Sequence, residues 1–203
     1  MSSIPDRSAV RQRLRAQRAG LDARERMAAA EALAKSLEQL PEFLVDARIA
    51  GYWAVGGEMP LHAVYSSLRK REQEYFLPLL AEPDLLRFAA WQPGSALRHN
   101  RYGIPEPDVA KGDLAPNELD VVLLPLLGFD REGNRLGMGA GFYDRSFAFL
   151  RDARRPARPV LVGIGYHFQE VAQIDPAEWD VRLDFIATDR ELIACSVADA
   201  MTP

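Results

Sequence analysis

Five glycines, Gly128, Gly133, Gly137, Gly139 and Gly141, fall within fourteen residues, interleaved with Asp130, Arg131, Arg135, Tyr143, Asp144 and Arg145. Glycine lets backbone N–H groups come close to an anion, and arginines set among them add positive charge. The apolar run 121–127 that precedes them is too short for an ordinary helix and rich in branched residues, so it reads as a buried strand. A helix is expected after Gly141. Strand, glycine loop and helix in that order suit a phosphate or a similar anion. The loop centre, Gly137-Met138-Gly139-Ala140-Gly141, is neither a P-loop, since no Gly-Lys-Ser/Thr follows, nor a dinucleotide fingerprint, which would need a third glycine at Tyr143 or Asp144.

Two other places hold groups that could act with such a loop. Arg11, Arg15 and Arg18 recur at i, i+4 and i+7 in a segment, 8–19, that reads as a helix stopped by Gly20, and they share one face. A solvated basic surface and a phosphate-facing one both fit that spacing. Glu58 follows Gly56 and Gly57 at the tip of a strand expected over 48–53. It either meets a ligand in the crevice at the carboxyl ends of the strands or favours the start of a helix beginning near Pro60. His167, past the tip of a strand over 159–165, reads as a wall or surface residue rather than a base. One cysteine, Cys195, and three scattered histidines exclude a disulfide framework and a structural zinc site, so any metal must be a hard cation on carboxylates.

The elements that must hold these groups follow from periodicity. A capping-box pattern at Asp22–Glu25 opens a helix to about Leu40, ended by Pro41. The strand over 48–53, an amphipathic helix over 61–72 and a strand over 75–80 make a βαβ unit. Another strand covers 86–91, and 92–118 is a long loop without periodicity. Strands at 159–165 and 183–188 follow, and the tail from Ala194 carries no signal. This is an α/β chain with an open, largely parallel sheet, helices on both faces and additional N-terminal helices, in a single domain over 1–203. At 48% hydrophobic its 203 residues suffice for a core of ordinary size. The net charge of −4 argues against general nucleic-acid affinity, although 22 of the 25 basic residues are arginine. No apolar run approaches the roughly 20 residues of a membrane span, and no apolar leader follows the basic N-terminus, so a cytoplasmic protein is expected.

The signature stretch resembles that of the 5-formyltetrahydrofolate cyclo-ligase family, also called 5,10-methenyltetrahydrofolate synthetases. Pro125, Gly128-Phe129-Asp130, Gly133, Arg135-Leu136-Gly137, Gly139 and Gly141-Phe142-Tyr143-Asp144 fall on its pattern. The likeness is dense over 123–145 and thinner from about Arg11 to Thr188. It implies a three-layer α/β/α fold of the CoA-transferase-like kind, ATP as co-substrate and Mg²⁺ as cofactor. It places Arg11, Arg15 and Arg135 with Leu136, Gly137, Met138, Gly139, Ala140, Gly141, Phe142 and Tyr143 at ATP. Trp53, Glu58 and Tyr102, together with Met138, Gly139, Ala140, Gly141 and Phe142, go to the folate. Asp144 and Asp180 go to the metal, and Arg135, Tyr143 and Asp144 to catalysis. Arg11 stands where relatives carry Lys, and Met138 and Ala140 stand where several carry basic residues.

The set holds no nucleophile beside a base, which suits phosphoryl transfer by positioning and charge neutralisation. The resemblance names the reaction: the formyl oxygen of 5-formyltetrahydrofolate attacks the γ-phosphate of ATP, N10 closes the ring, and phosphate leaves. It implies a monomer with these two small-molecule partners, no nucleic acid and no membrane. Two other readings share the scaffold: a sugar-phosphate isomerase that binds phosphate without ATP, and a non-catalytic folate- or RNA-binding relative.

Overall fold

The computed structural model describes residues 7–108, 112–155 and 157–195. The chain opens with helices α1 (Arg7–Gly20), α2 (Ala23–Leu37) and α3 (Pro41–Val45). The α2 start carries the expected reciprocal cap, Glu25 N–H to the Asp22 carboxylate and Asp22 N–H to the Glu25 carboxylate, each 2.8 Å. Pro41 does not merely end that helix; it occupies the first turn of α3, where its missing N–H costs nothing.

β1 (Arg48–Ala50), α4 (His62–Lys70) and β2 (Glu74–Ala81) form the βαβ unit, with β1 and β2 parallel. Regular pairing of the first strand stops at Ala50 rather than Trp53, although the Gly51 N–H still reaches Phe76. β3 (Leu85–Ala90) turns back antiparallel to β2. The span 92–118, expected as loop, contains a hairpin of β4 (Leu97–His99) and β5 (Pro105–Pro107). Its prolines and short exposed strand hid it from a period-2 reading. β6 (Val121–Pro125) is followed by a tight hairpin of β7 (Gly128–Phe129) and β8 (Arg135–Leu136). α5 (Phe142–Ser146) is five residues long, shorter than expected, and runs into a 3₁₀ turn, Ala148–Leu150. β9 (Val160–Ile164), β10 (Phe185–Ala187) and an unexpected strand, β11 (Leu192–Ala194), are the remaining strands among the described residues.

The sheet order is β11-β10-β9-β6-β1-β2-β3, parallel except at its two edges. Alternate side chains of the central strands face opposite layers. Ile49, Leu77, Leu123 and Val162 pack under Leu33, Leu37, Phe43, Val64 and Leu68 of the three helices α2, α3 and α4. Ala50, Phe76, Val122, Leu124 and Leu161 meet Phe88, Phe147, Leu150, Val181 and Leu183. The second layer is therefore thin, built from α5, the 3₁₀ turn and connecting segments. Fully burying one such Leu or Phe contributes about 1.5–3 kcal/mol, so the sheet is held from both sides. No helix among the described residues is long and apolar enough to cross a membrane.

Candidate active site

The carboxyl ends of β1, β6 and β9 open toward one edge, and the signature turns there. Its first half is locked. Asp130, 1% exposed, accepts hydrogen bonds from the amides of Glu132, Asn134 and Ile174 and from the Asn134 side chain, at 2.8–3.1 Å. Gln169, also 1% exposed, donates to the carbonyls of Leu126 and Leu127 and accepts from Tyr166 N–H. Gly133 adopts φ +86°, and a Cβ there would meet the Leu183 carbonyl oxygen at 2.7 Å. These residues fix the backbone and have no capacity left for a ligand.

The second half is open. The amides of Met138, Gly139, Ala140 and Gly141 make no hydrogen bond among the described residues. Gly139 and Gly141 need positive φ (+105° and +68°), whereas Gly137 does not, and a Cβ on Gly137 or Gly139 would meet nothing within 4 Å. The free amides belong to the loop itself. α5 is too short to contribute much of a macrodipole, so the helix-start part of the expectation weakens.

α1 lies over this loop. Leu14, fully buried, fits against Gly128, where a Cβ would come within 2.9 Å of its Cδ1. That contact sets the helix so that Arg11 donates to the Gly137 carbonyl (3.1 Å) and Arg15 reaches the Met138 sulfur (3.9 Å). The basic face expected from spacing thus borders the glycine loop. Arg135 is placed differently from a free loop cation: its guanidinium is buried and donates to the Val181 carbonyl and to Asp144. Burial lowers its pKa from the ordinary arginine range, opposed by the Asp144 and Asp180 carboxylates.

A pocket of about 610 Å³, its open mouth included, lies beside the loop. Trp53, Glu58, Tyr102, Phe142 and Tyr143 all line it, so the structure gathers four of the expected folate residues with Tyr143, whereas Met138, Gly139, Ala140 and Gly141, also expected at the folate, are not part of its wall. Tyr102 makes an edge-to-face contact with Phe142, ring centroids 5.7 Å apart. Tyr52, Leu79, Asn100, Ile104 and Pro125 complete much of the wall. Asn100 and Ile104 come from the hairpin that sequence reasoning missed, and Tyr52 sits one residue before the strand tip that it named. Glu58 does not serve the helix after it. Its carboxylate accepts from Val55 N–H at 3.1 Å, and the N-cap of α4 is Leu61, without a side-chain cap. Burial pushes the Glu58 carboxyl above the usual range, while the Val55 hydrogen bond and Arg18 pull the other way.

The two predicted metal carboxylates flank Arg135. Oδ1 of Asp144 accepts from Arg135 and from Val181 N–H at 3.2 Å; Oδ2 of Asp180 accepts from Ala177 N–H at 2.9 Å and Arg7 at 3.4 Å. Among the described residues nothing donates to the second oxygen of either. A hard cation that takes one or two carboxylate oxygens and otherwise binds phosphates and water fits that donor set. His167, Glu170 and Glu191 form another close group, but both glutamates are paired with Arg131, which already supplies the positive charge. His167 does not line the pocket. The Cys195 thiol is pushed by burial up to about 12, which leaves it protonated and unreactive.

An open, largely parallel sheet with a loop of unpaired amides and an aromatic pocket at the carboxyl ends of its strands has the layout of an α/β protein that binds its ligand at that edge. The family model described as 5-formyltetrahydrofolate cyclo-ligase family matches residues 3–189, and the chain belongs to that family. The 5-formyltetrahydrofolate cyclo-ligase of Haemophilus influenzae is 33% identical over 180 residues, covering 87% of this chain and 94% of that one. That of Escherichia coli K12 is 30% identical over 182 residues, covering 88% and 96%. The solution structure of 5,10-methenyltetrahydrofolate synthetase from Aquifex aeolicus superposes with a TM-score of 0.79 at 27% identity, covering 97% of this chain and 96% of that one.

Proposed function

We propose that the enzyme phosphorylates the formyl oxygen of 5-formyltetrahydrofolate with ATP and then closes the ring to 5,10-methenyltetrahydrofolate, releasing ADP and phosphate. The observation that carries the residue assignment is the sharing of Phe142 and Tyr143. They line the aromatic pocket and directly follow the loop of free amides, so a bicyclic folate in the pocket and a phosphate at the loop would be neighbours. Trp53, Tyr102 and Phe142 offer ring faces to the pterin or the aminobenzoate, and the half-buried Glu58 carboxylate accepts from its N–H groups. Met138–Gly141 amides, Arg11 and Arg15 hold the triphosphate.

The chain supplies no nucleophile of its own. The formyl oxygen attacks the γ-phosphorus, an O–P bond forms and the bond to the ADP oxygen breaks, giving an N5-iminium phosphate. N10 then attacks the formyl carbon, loses its proton, and the C–O bond to phosphate breaks. An amide oxygen is a poor leaving group until phosphorylated, which gives ATP a chemical purpose. Mg²⁺, held by Asp144 and Asp180, would neutralise phosphate charge. Arg135 keeps Asp144 in place and balances it when the metal is absent. The proposal extends to a monomer working where ATP is supplied, in the cytoplasm.

The test is spectrophotometric formation of 5,10-methenyltetrahydrofolate from 5-formyltetrahydrofolate. Product should require ATP, and EDTA should abolish it until Mg²⁺ is restored. Product formed at the same rate without ATP would overturn the reading.

A further inference from the structure

The three arginines on one face of α1 divide between two places. Arg11 and Arg15 reach the glycine loop, while Arg18 is 3% exposed and runs under the turn before Glu58. Gly56 and Gly57 adopt φ +56° and +80°, which glycine reaches without strain. That turn presses on α1 and α2: a Cβ on Gly57 would sit 3.3 Å from the Arg18 carbonyl oxygen, 3.4 Å from its Cγ and 3.4 Å from Nη2 of Arg26, and one on Gly56 3.6 Å from Nη2 of Arg18. The Arg18 Nε is buried with no hydrogen-bond partner among the described residues. Such a guanidinium is costly unless an opposite charge faces it. No ion pair among the described residues reaches it directly; the carboxylate that acts on it through space is Glu58, which follows the Gly56-Gly57 turn lying against it. The groups around Glu58 are Arg18 from α1, Tyr52 and the Val55 amide from its own strand end, and Tyr143 from α5. Burial keeps both tyrosines un-ionised, so the cation in that set is Arg18. Arg18 does not line the pocket itself.

We propose that Arg18 is a positioning residue for the folate half of the reaction: it braces the Gly56-Gly57 turn and supplies the counter-charge that holds the Glu58 carboxylate at the pocket wall. This rests on Glu58 being the folate-binding acid. One helix then serves both substrates, its Arg11 and Arg15 facing the nucleotide and its Arg18 acting on folate through Glu58.

The experiment is a double-mutant cycle read as separate KM values. Arg18→Met should raise KM for 5-formyltetrahydrofolate about ten-fold and leave KM for ATP within about two-fold. Arg18→Lys, which keeps the charge, should restore most of the loss. In Arg18→Met/Glu58→Gln, the arginine change should add nothing to the effect of Glu58→Gln alone. Full additivity, equal rises in both KM values, or no rise at all would overturn the proposal. If Arg18→Met does not fold, Arg18→Lys carries the test: a folded Lys variant with a ten-fold higher folate KM also overturns it. A Glu58→Gln variant with normal folate KM would instead sink the underlying assignment of Glu58.

Discussion

The two halves of the signature stretch, 126–136 and 137–144, are similar in composition and opposite in physical state. In the first, the buried polar groups are tied to the protein: Asp130 takes four donors, Gln169 clamps two carbonyls, and Phe129 and Leu136 are buried. In the second, four consecutive amides make no hydrogen bond among the described residues, Met138 is 57% exposed, and two glycines have empty space where a side chain would go. A motif read as one functional unit is therefore two devices. One is a hairpin that sets the backbone; the other is a loop whose amides the described residues leave unpaired, which is what the proposed nucleotide site needs.

The sharpest way to break this contrast is Asp130→Ala. It strands several buried donors and should cost about 3–5 kcal/mol of stability, with activity falling only as the folded fraction falls. A stable but inactive Asp130 variant would move that residue into the chemistry. Asp144→Asn comes next. Because Asp144 pairs with buried Arg135, the change should cost about 1–3 kcal/mol of stability and lower turnover by about a hundred-fold even where the variant is fully folded. Near-normal turnover at saturating Mg²⁺ would remove Asp144 from the metal role.

Gly137→Ala separates the halves most cleanly. The fold neither needs positive φ there nor closes the space, so stability should stay within about 0.5 kcal/mol. With the proposed phosphate site at the loop, KM for ATP should rise about ten-fold, because the added methyl would hold the phosphate away from the loop amides. The smallest effect is on pH dependence at Glu58. Its carboxyl is raised by burial, so the folded state binds the proton more tightly than the unfolded state. The site's contribution to stability is therefore full below the ordinary carboxylate range and is lost as pH rises through the raised value. Glu58→Gln should remove that fall, and urea titrations between pH 4 and 8 should show the variant gaining on the parent as pH rises. Parallel curves would mean that the carboxyl is not desolvated.

Much of this was legible in the sequence, for local reasons. The buried strand 121–125, the capping box at Asp22, the βαβ unit and the arginine face of α1 rest on spacing within a few residues, and spacing is what a sequence displays. Trp53, Glu58, Tyr102 and Phe142 were named by resemblance, and they do share one pocket. The failures are long-range. Nothing near Arg135 shows that its partners are Asp144 and, 46 residues away, Val181, so the sequence places it at ATP and in catalysis without the ion pair that holds it. Arg18 shared a face with Arg11 and Arg15, but the turn that buries it is almost forty residues further on. The β4–β5 hairpin, with a proline at each end of β5, carries no alternation to detect, and yet it brings Asn100 and Ile104 to the pocket.

The central claim, that one half of the signature is finished by the protein and the other by a nucleotide, is tested most directly by amide hydrogen exchange over 126–145. Without ligand, Leu127 and Asp130, bonded to Leu136 and Asn134, should exchange slowly, and Met138, Gly139, Ala140 and Gly141 rapidly. A non-hydrolysable ATP analogue with Mg²⁺ should protect those four amides and leave the first half unchanged. If saturating analogue protects only the locked half, or if the four loop amides are already slow without it, the account is wrong.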